Sequence, residues 1–237
     1  VKIHDITLRD GEQQAGIIFT KDDKIRIAEK LAEVGVHRIE AGMPAVSSND
    51  EAALREIVKR NLNSEIFCFF TIDATRADMN WLLDLIDKVA TGGHMDAFTL
   101  VDTFGVLAPH AATYFTKKVK ERIKTPVEIH FHSDFGLGVA NTINAVLAGG
   151  EVIHTTVLGI GERAGNTPME ETVLALLTLY GIDVGIDYSK LNELSELVQE
   201  LSGFKIPGNR PFIGDSAYNI ESGIVTGWYK NVFDYDP

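Results

Sequence analysis

Apolar and polar positions along this chain switch between two periods. Six short runs are rich in β-branched and aromatic residues: KIHDITL at 2–8, VHRIEA at 36–41, EIFCFFTI at 65–72, DAFTLV at 96–101, VEIHFH at 127–132 and VIHTTVL at 152–158. Stretches of helical period lie between them. Thr20 is placed to cap a helix that carries Ile27, Leu31 and Val34 on one side and stops at Gly35. Further helices are predicted over about 50–60, 78–90 and 109–123, the last opening near Pro109. The repeat averages roughly 30 residues, the size of a βαβ unit, and predicts a parallel sheet with helices outside it.

Two architectures fit such alternation, a doubly wound sheet and a closed (β/α)₈ TIM barrel. No G-x-G-x-x-G fingerprint follows the first strand, which removes support from a dinucleotide fold. Polar residues cluster just after the strands, where a barrel builds its active site. Only about six strand–helix units precede residue 182, so the barrel is short by about two βα units. The expected organisation is a barrel domain over 1–182 and a linker helix and accessory subdomain over 183–237; the run at 65–72, long and apolar and passing straight into a polar segment, is the odd one. A closed six-strand barrel would need a different tilt and a tighter interior, which favours missing residues over a true deletion. The accessory segment opens on a helix over 188–203, with Leu191, Leu194, Leu197, Val198 and Leu201 on one side.

Composition adds exclusions. With 45% hydrophobic and 24% charged residues, the 237-residue chain has enough apolar material for a real core. A formal net charge of −12 argues against a nucleic-acid partner. No run reaches the roughly 18–20 apolar residues of a membrane span, and VKIHDITLRDG lacks a signal-peptide core. The lone Cys68 permits no intrachain disulfide, which fits a cytoplasmic setting. The chain opens on Val1 without an initiator methionine, which reads as the interior of a longer chain.

His130 and His132 stand two apart in a strand, so both side chains point to one face. Two imidazoles there suit a borderline cation such as Zn²⁺, Mn²⁺ or Fe²⁺. The first strand ends in TLRDGEQ, where Asp10 offers the carboxylate of a two-histidine, one-carboxylate site and Arg9 a charge for a developing oxyanion. In GIGERAGNTPMEE, Thr167, Pro168 and Glu170 read as cap, first position and third position of a helix. Asn166 offers a neutral oxygen within reach of a metal. Thr103, in VDTFG, can donate to a carboxylate, although Asp-Thr before Gly is also ordinary turn chemistry. Phe67, Phe69 and Phe70 read as core.

At these residues the sequence resembles the DRE-TIM metallolyase superfamily. Within it, the Claisen-condensing branch of isopropylmalate, homocitrate and citramalate synthases is the nearest match. DITLRDGEQ, DATRAD, HFHSDFGLGVANT and GIGERAGNTPMEE carry the resemblance, in the family's order, over most of residues 1–223. It implies Asp10, His130 and His132 as metal ligands with Asn166 beside them, and a divalent cation that is Zn²⁺, Mn²⁺ or Mg²⁺. It implies Arg9, Gln13, Thr103 and Arg76 as substrate contacts, and Arg9, Glu162 and Tyr235 as catalytic groups. The implied reaction joins acetyl-CoA to a 2-oxo acid chelated by the metal and then hydrolyses the thioester. A homodimer is implied too. Three departures stand out: the fused run at 65–72, Ile72 where the family has a glutamate before DATR, and Val225 where its accessory region has a histidine. Valine transfers no proton. The alternatives are a metal-dependent carbon–carbon lyase or aldolase on the same site, and a barrel that binds metal and ligand without catalysis.

Overall fold

Six parallel strands form one sheet in the order β2-β1-β6-β5-β4-β3. The computed structural model describes residues 1–42, 48–59, 68–92 and 95–223. The strands are β1 (Lys2–Asp5), β2 (Arg38–Ile39), β3 (Cys68–Thr71), β4 (Ala97–Asp102), β5 (Val127–Phe131) and β6 (Val152–Thr155). Helices α1 (Lys21–Val34), α2 (Ser48–Lys59), α3 (Met79–Gly92), α4 (Pro109–Lys120), α5 (Gly138–Leu147) and α6 (Met169–Tyr180) follow them in turn. A seventh helix, α7 (Leu191–Ser202), packs on α1.

The strand order has two informative joints. The last strand pairs with the first, His4 opposite His154, which is how a β/α barrel closes. Sequence neighbours pair everywhere else except at β2 and β3, which share no ladder among the described residues. Among the described residues, β2 and β3 are therefore the two edges of the sheet.

Local rules account for the elements. Thr20 caps α1 through a reciprocal box with Asp23, and Gly35 ends it in the left-handed region at φ 89°. Every residue of β4 and β5 is buried, as expected for parallel strands covered on both faces. Outward-facing Ile129 and Ile153 are fully buried under the helical layer. The inward positions of β5 are instead polar, Glu128 and His130, continued by His132.

Three expectations are corrected. The first strand stops at Asp5 because the Ile6 carbonyl accepts from the backbone N–H groups of Arg9, Asp10 and Gly11 and turns the chain. Thr167 does not cap α6: Pro168 takes that position, and the Thr167 hydroxyl donates to the Phe131 carbonyl. Helix α5 has no counterpart among the predicted helices.

Two compact units divide the chain, Val1–Phe204 and Lys205–Pro237. Among its described residues the second runs in successive turns, with the Ser216 N–H donating to the Gly208 carbonyl. No helix among the described residues is long and apolar enough to cross a membrane.

Asp5 ends β1 fully buried and accepts from the Thr7 N–H at 3.0 Å and the Thr7 hydroxyl at 2.9 Å. Burial pushes its carboxyl up to about 7, against the Thr7 hydrogen bonds and helped by Glu170 and Glu40. The folded state thus holds this proton more tightly than the unfolded chain. The associated stability is full below about pH 4 and drains away as pH rises toward 7. Asp5→Asn, a mimic of the protonated acid, should stabilise the protein by a few kcal/mol at pH 8 and by nearly nothing at pH 4. Urea denaturation at the two pH values checks this; equal effects at both would contradict it.

Candidate metal centre

The carboxyl ends of the strands supply the expected site. The turn after β1 places Arg9 and Asp10; β5 and the residue after it place His130 and His132. Asn166, in the loop after β6, bridges back to His132 through a short backbone ladder. Asp10, His130, His132 and Asn166 are all buried. Asp10 Oδ2 lies 3.3 Å from His130 Nε2, and the two histidine Nε2 atoms are 3.4 Å apart. Donors at about 2.0–2.1 Å from a tetrahedral cation stand about 3.3 Å from one another, so both separations match. One ligand atom from each of Asp10, His130 and His132 falls within 4.8 Å of the others.

The protonation states also fit. Burial raises the Asp10 carboxyl, but the His130 hydrogen bond and the charges of His130, Arg9 and His132 outweigh it and hold the group well below the usual carboxylate range. Burial, then repulsion from His130, lowers His132 to about 4 against the pull of Asp10. An ionised carboxylate with a neutral imidazole is what a borderline divalent cation requires. Asn166 donates its Nδ2 to Asp10 Oδ1 at 3.2 Å, while its Oδ1 is buried without a hydrogen-bond partner. That oxygen is the natural further contact for a cation.

Glycine makes the close approach possible. A Cβ on Gly161, at φ 152°, would meet Asn166 Nδ2 at 2.2 Å, so only glycine leaves room for that amide. The Gly161 N–H in turn donates to Gln14 Oε1 at 3.0 Å, which ties the loop after β6 to the turn after β1.

Arg9 spans the site. Its Nη1 donates to Asp10 at 2.8 Å and its Nη2 to Glu40 at 2.9 Å, leaving a buried Nε with no partner. Glu40 went unnoticed in the sequence; its signal is an acidic residue just past the end of a strand, the place that Asp10 and His132 also occupy. Phe70, read as core, instead sets its ring edge-on to His130, centroids 5.0 Å apart, with the Arg9 guanidinium 5.9 Å from its centre.

Other expected residues stand around the rim. The Thr103 hydroxyl accepts from the Asp73 N–H at 2.8 Å, and its carbonyl accepts from Arg163. Arg163 also forks onto Asp134 at 2.7 and 3.0 Å. Arg76 is exposed, paired with Asp73, and stacked 4.2 Å from the Phe104 ring centre. Gln13 is exposed on the turn that follows Asp10. Glu162 is exposed beside Arg163, 3.4 Å away. Glu12 serves the scaffold: it accepts from the Phe19 N–H and pairs with the fully buried Lys24, which also reaches Asp50. Tyr235, Val225 and Phe67 lie outside the described residues.

A family model described as HMGL-like matches residues 1–72 and 67–198 of this sequence. The chain belongs to that family. The two matched stretches of this HMGL-like chain meet at 67–72, inside the fused run. It is 36% identical to the (R)-citramalate synthase of Methanocaldococcus jannaschii over 299 positions, covering all of the chain and 61% of that protein. Those 299 positions exceed the chain's 237 residues by 62, about two βα units. It is 31% identical to the homocitrate synthase of Methanothermobacter thermautotrophicus, covering 76% of that protein, and 33% identical to the 2-isopropylmalate synthase of M. jannaschii, covering 58%. The chain thus spans about three-fifths of its citramalate synthase relative. Hydroxymethylglutaryl-CoA lyase from Pseudomonas aeruginosa has the same fold, with a TM-score of 0.72 at 19% identity over 92% of this chain and 97% of that one.

Asp10→Ala or His132→Ala should weaken Zn²⁺ or Mn²⁺ binding at this centre at least about tenfold, since each removes a ligand. Calorimetric titration reads it, and unchanged affinity in both variants would refute the site.

Proposed function

We propose that this protein is a metal-dependent acyltransferase that condenses acetyl-CoA with a 2-oxo acid and then hydrolyses the thioester. The single observation behind this reading is the buried Asp10–His130–His132 triad, with Arg9 clamped between Asp10 and Glu40. The citramalate, homocitrate and isopropylmalate synthases among its relatives support the reaction class.

Asp10, His130 and His132 would hold the cation, with Asn166 alongside; when bound, it supplies Lewis-acid polarisation of a 2-oxo acid. The rest falls to side chains. Arg9 brings a guanidinium, held beside Asp10 by its Nη1, as the positive charge for an oxygen that gains charge. Thr103 and Arg76, with Gln13, are assigned to the acid's carboxylate. The acetyl methyl must lose a proton before its carbon attacks the keto carbon; water then cleaves the thioester and frees CoA. Ile72, exposed at the place of the family's glutamate, cannot take that proton. The remaining candidates are Glu162 at the rim and Tyr235.

We further assign residues 1–182 to the barrel and 183–237 to the linker helix and accessory subdomain. Two βα units belong within 66–72, as the two-part family match and the open β2–β3 joint suggest. A cytoplasmic homodimer fits this reading. Cleavage of a 3-hydroxy acid at the same centre is the second reading, and Ile72 favours it because cleavage can use another base.

Metal-loaded protein should release free CoA from acetyl-CoA in the presence of at least one 2-oxo acid. No release with any of several acids would sink the synthase, and CoA-independent carbon–carbon cleavage would install the second reading. Arg9→Ala should keep its metal and lose at least about a hundredfold in kcat, as for other oxyanion donors. A smaller loss would remove Arg9 from that role.

A further inference from the structure

A second cluster lies inside the barrel, one layer nearer the amino ends of the strands. Glu128 faces the same side of β5 as His130 and is fully buried. Its Oε1 accepts from Arg38 at 2.7 Å, and its Oε2 lies 2.7 Å from His154 Nε2 and 3.9 Å from His4 Nδ1. His4 and His154 are register partners across the β1–β6 joint, with ring centroids 4.5 Å apart. The His154 ring lies 5.4 Å from that of His130, so this cluster sits directly beneath the first.

Hydrogen bonding within the cluster is incomplete. His4 Nδ1, which faces Glu128, is buried without a partner. The 2.7 and 3.9 Å separations bracket the roughly 3.3 Å between neighbouring ligand atoms of a tetrahedral cation, so opposite shifts of about 0.6 Å at the two rings bring both to that value. Arg38 holds the oxygen turned away from the imidazoles, as hydrogen-bond donors commonly hold the free oxygen of a ligating carboxylate. A cavity at the amino ends of the strands is lined by Lys2, Arg38, Glu128 and Val152.

We propose that His4, Glu128 and His154 form a second site for a borderline divalent cation of the zinc kind, which fastens the β5–β6–β1 seam. Two histidines and a carboxylate are a donor set for Zn²⁺. The ligands come from three strands, so binding ties the barrel's closing joint to the strand that carries His130. The role is structural: bound only by the folded chain, the cation stabilises it.

Equilibrium dialysis of the whole protein against Zn²⁺, followed by elemental analysis, tests this. Two equivalents are expected in the wild type, one in Asp10→Ala, one in His4→Ala and none in the double variant. Half-buried His4 is the gentler change; Glu128→Gln should repeat its result. Zn²⁺ should also raise the Tm of Asp10→Ala but not that of the double variant. One equivalent in the wild type and none in Asp10→Ala overturns the second site and leaves the first standing. One equivalent that survives Asp10→Ala and vanishes in His4→Ala keeps the second and overturns the first. Stoichiometry unchanged in both His4→Ala and Glu128→Gln, or no binding by any form, overturns the proposal.

Discussion

Asp10 meets His130 because the first strand lies beside the last. The β1–β6 ladder, from Lys2 opposite Val152 to Asp5 opposite Thr155, brings together groups more than a hundred residues apart in the chain. The Ile6 carbonyl then turns the chain sharply, so that Asp10 swings over the end of the sheet instead of running on past it. Within β5, simple alternation does the rest, since every second residue faces the interior. Without the closing ladder, the carboxylate and the imidazoles would belong to separate edges of an open sheet.

The interior that results is unusually polar for a barrel, whose interior layers are dominated by bulky branched residues. Here Arg9, Glu40, Asp10, His130 and His132 occupy the upper end and Arg38, Glu128, His4 and His154 the level below. Buried charges survive only when paired and hydrogen bonded, because isolated ones cost far more than a fold can spare. Both levels obey that rule. Arg9 is shared between two carboxylates, Glu128 between a guanidinium and an imidazole, and buried Lys24 links Glu12 with Asp50. The stabilisation that this chain gives up in its barrel centre is recovered outside it. There Ile3, Ile129, Ile153, Phe98 and Leu100 are fully covered.

Much of this was legible in the sequence, for identifiable reasons. The short β-rich runs located the six strands found among the described residues, and Thr20 with Gly35 bounded α1. The histidine pair was visible because two residues on one strand face are a local pattern. Asp10 and Asn166 were visible as polar residues just past strand ends. Glu40 was missed because a single carboxylate shows no partner until the fold sets Arg9 against it. Helix α5 was missed because it begins among glycine, serine and aspartate, which read as a loop, and is helical through small residues such as Ala140 and Ala145. The misreading of Phe70 has a similar origin. An aromatic in an apolar run looks like core, and only the sheet order shows that its neighbours are His130 and Arg9.

In the proposed site, Asp10, His130 and His132 converge on one divalent cation. Anomalous diffraction from crystals grown with Zn²⁺ or Mn²⁺ tests it most directly. A peak about 2.0–2.2 Å from an Asp10 carboxylate oxygen and from Nε2 of both histidines is the expected result. Full occupancy of cation sites elsewhere, with no peak between these three side chains, would contradict it.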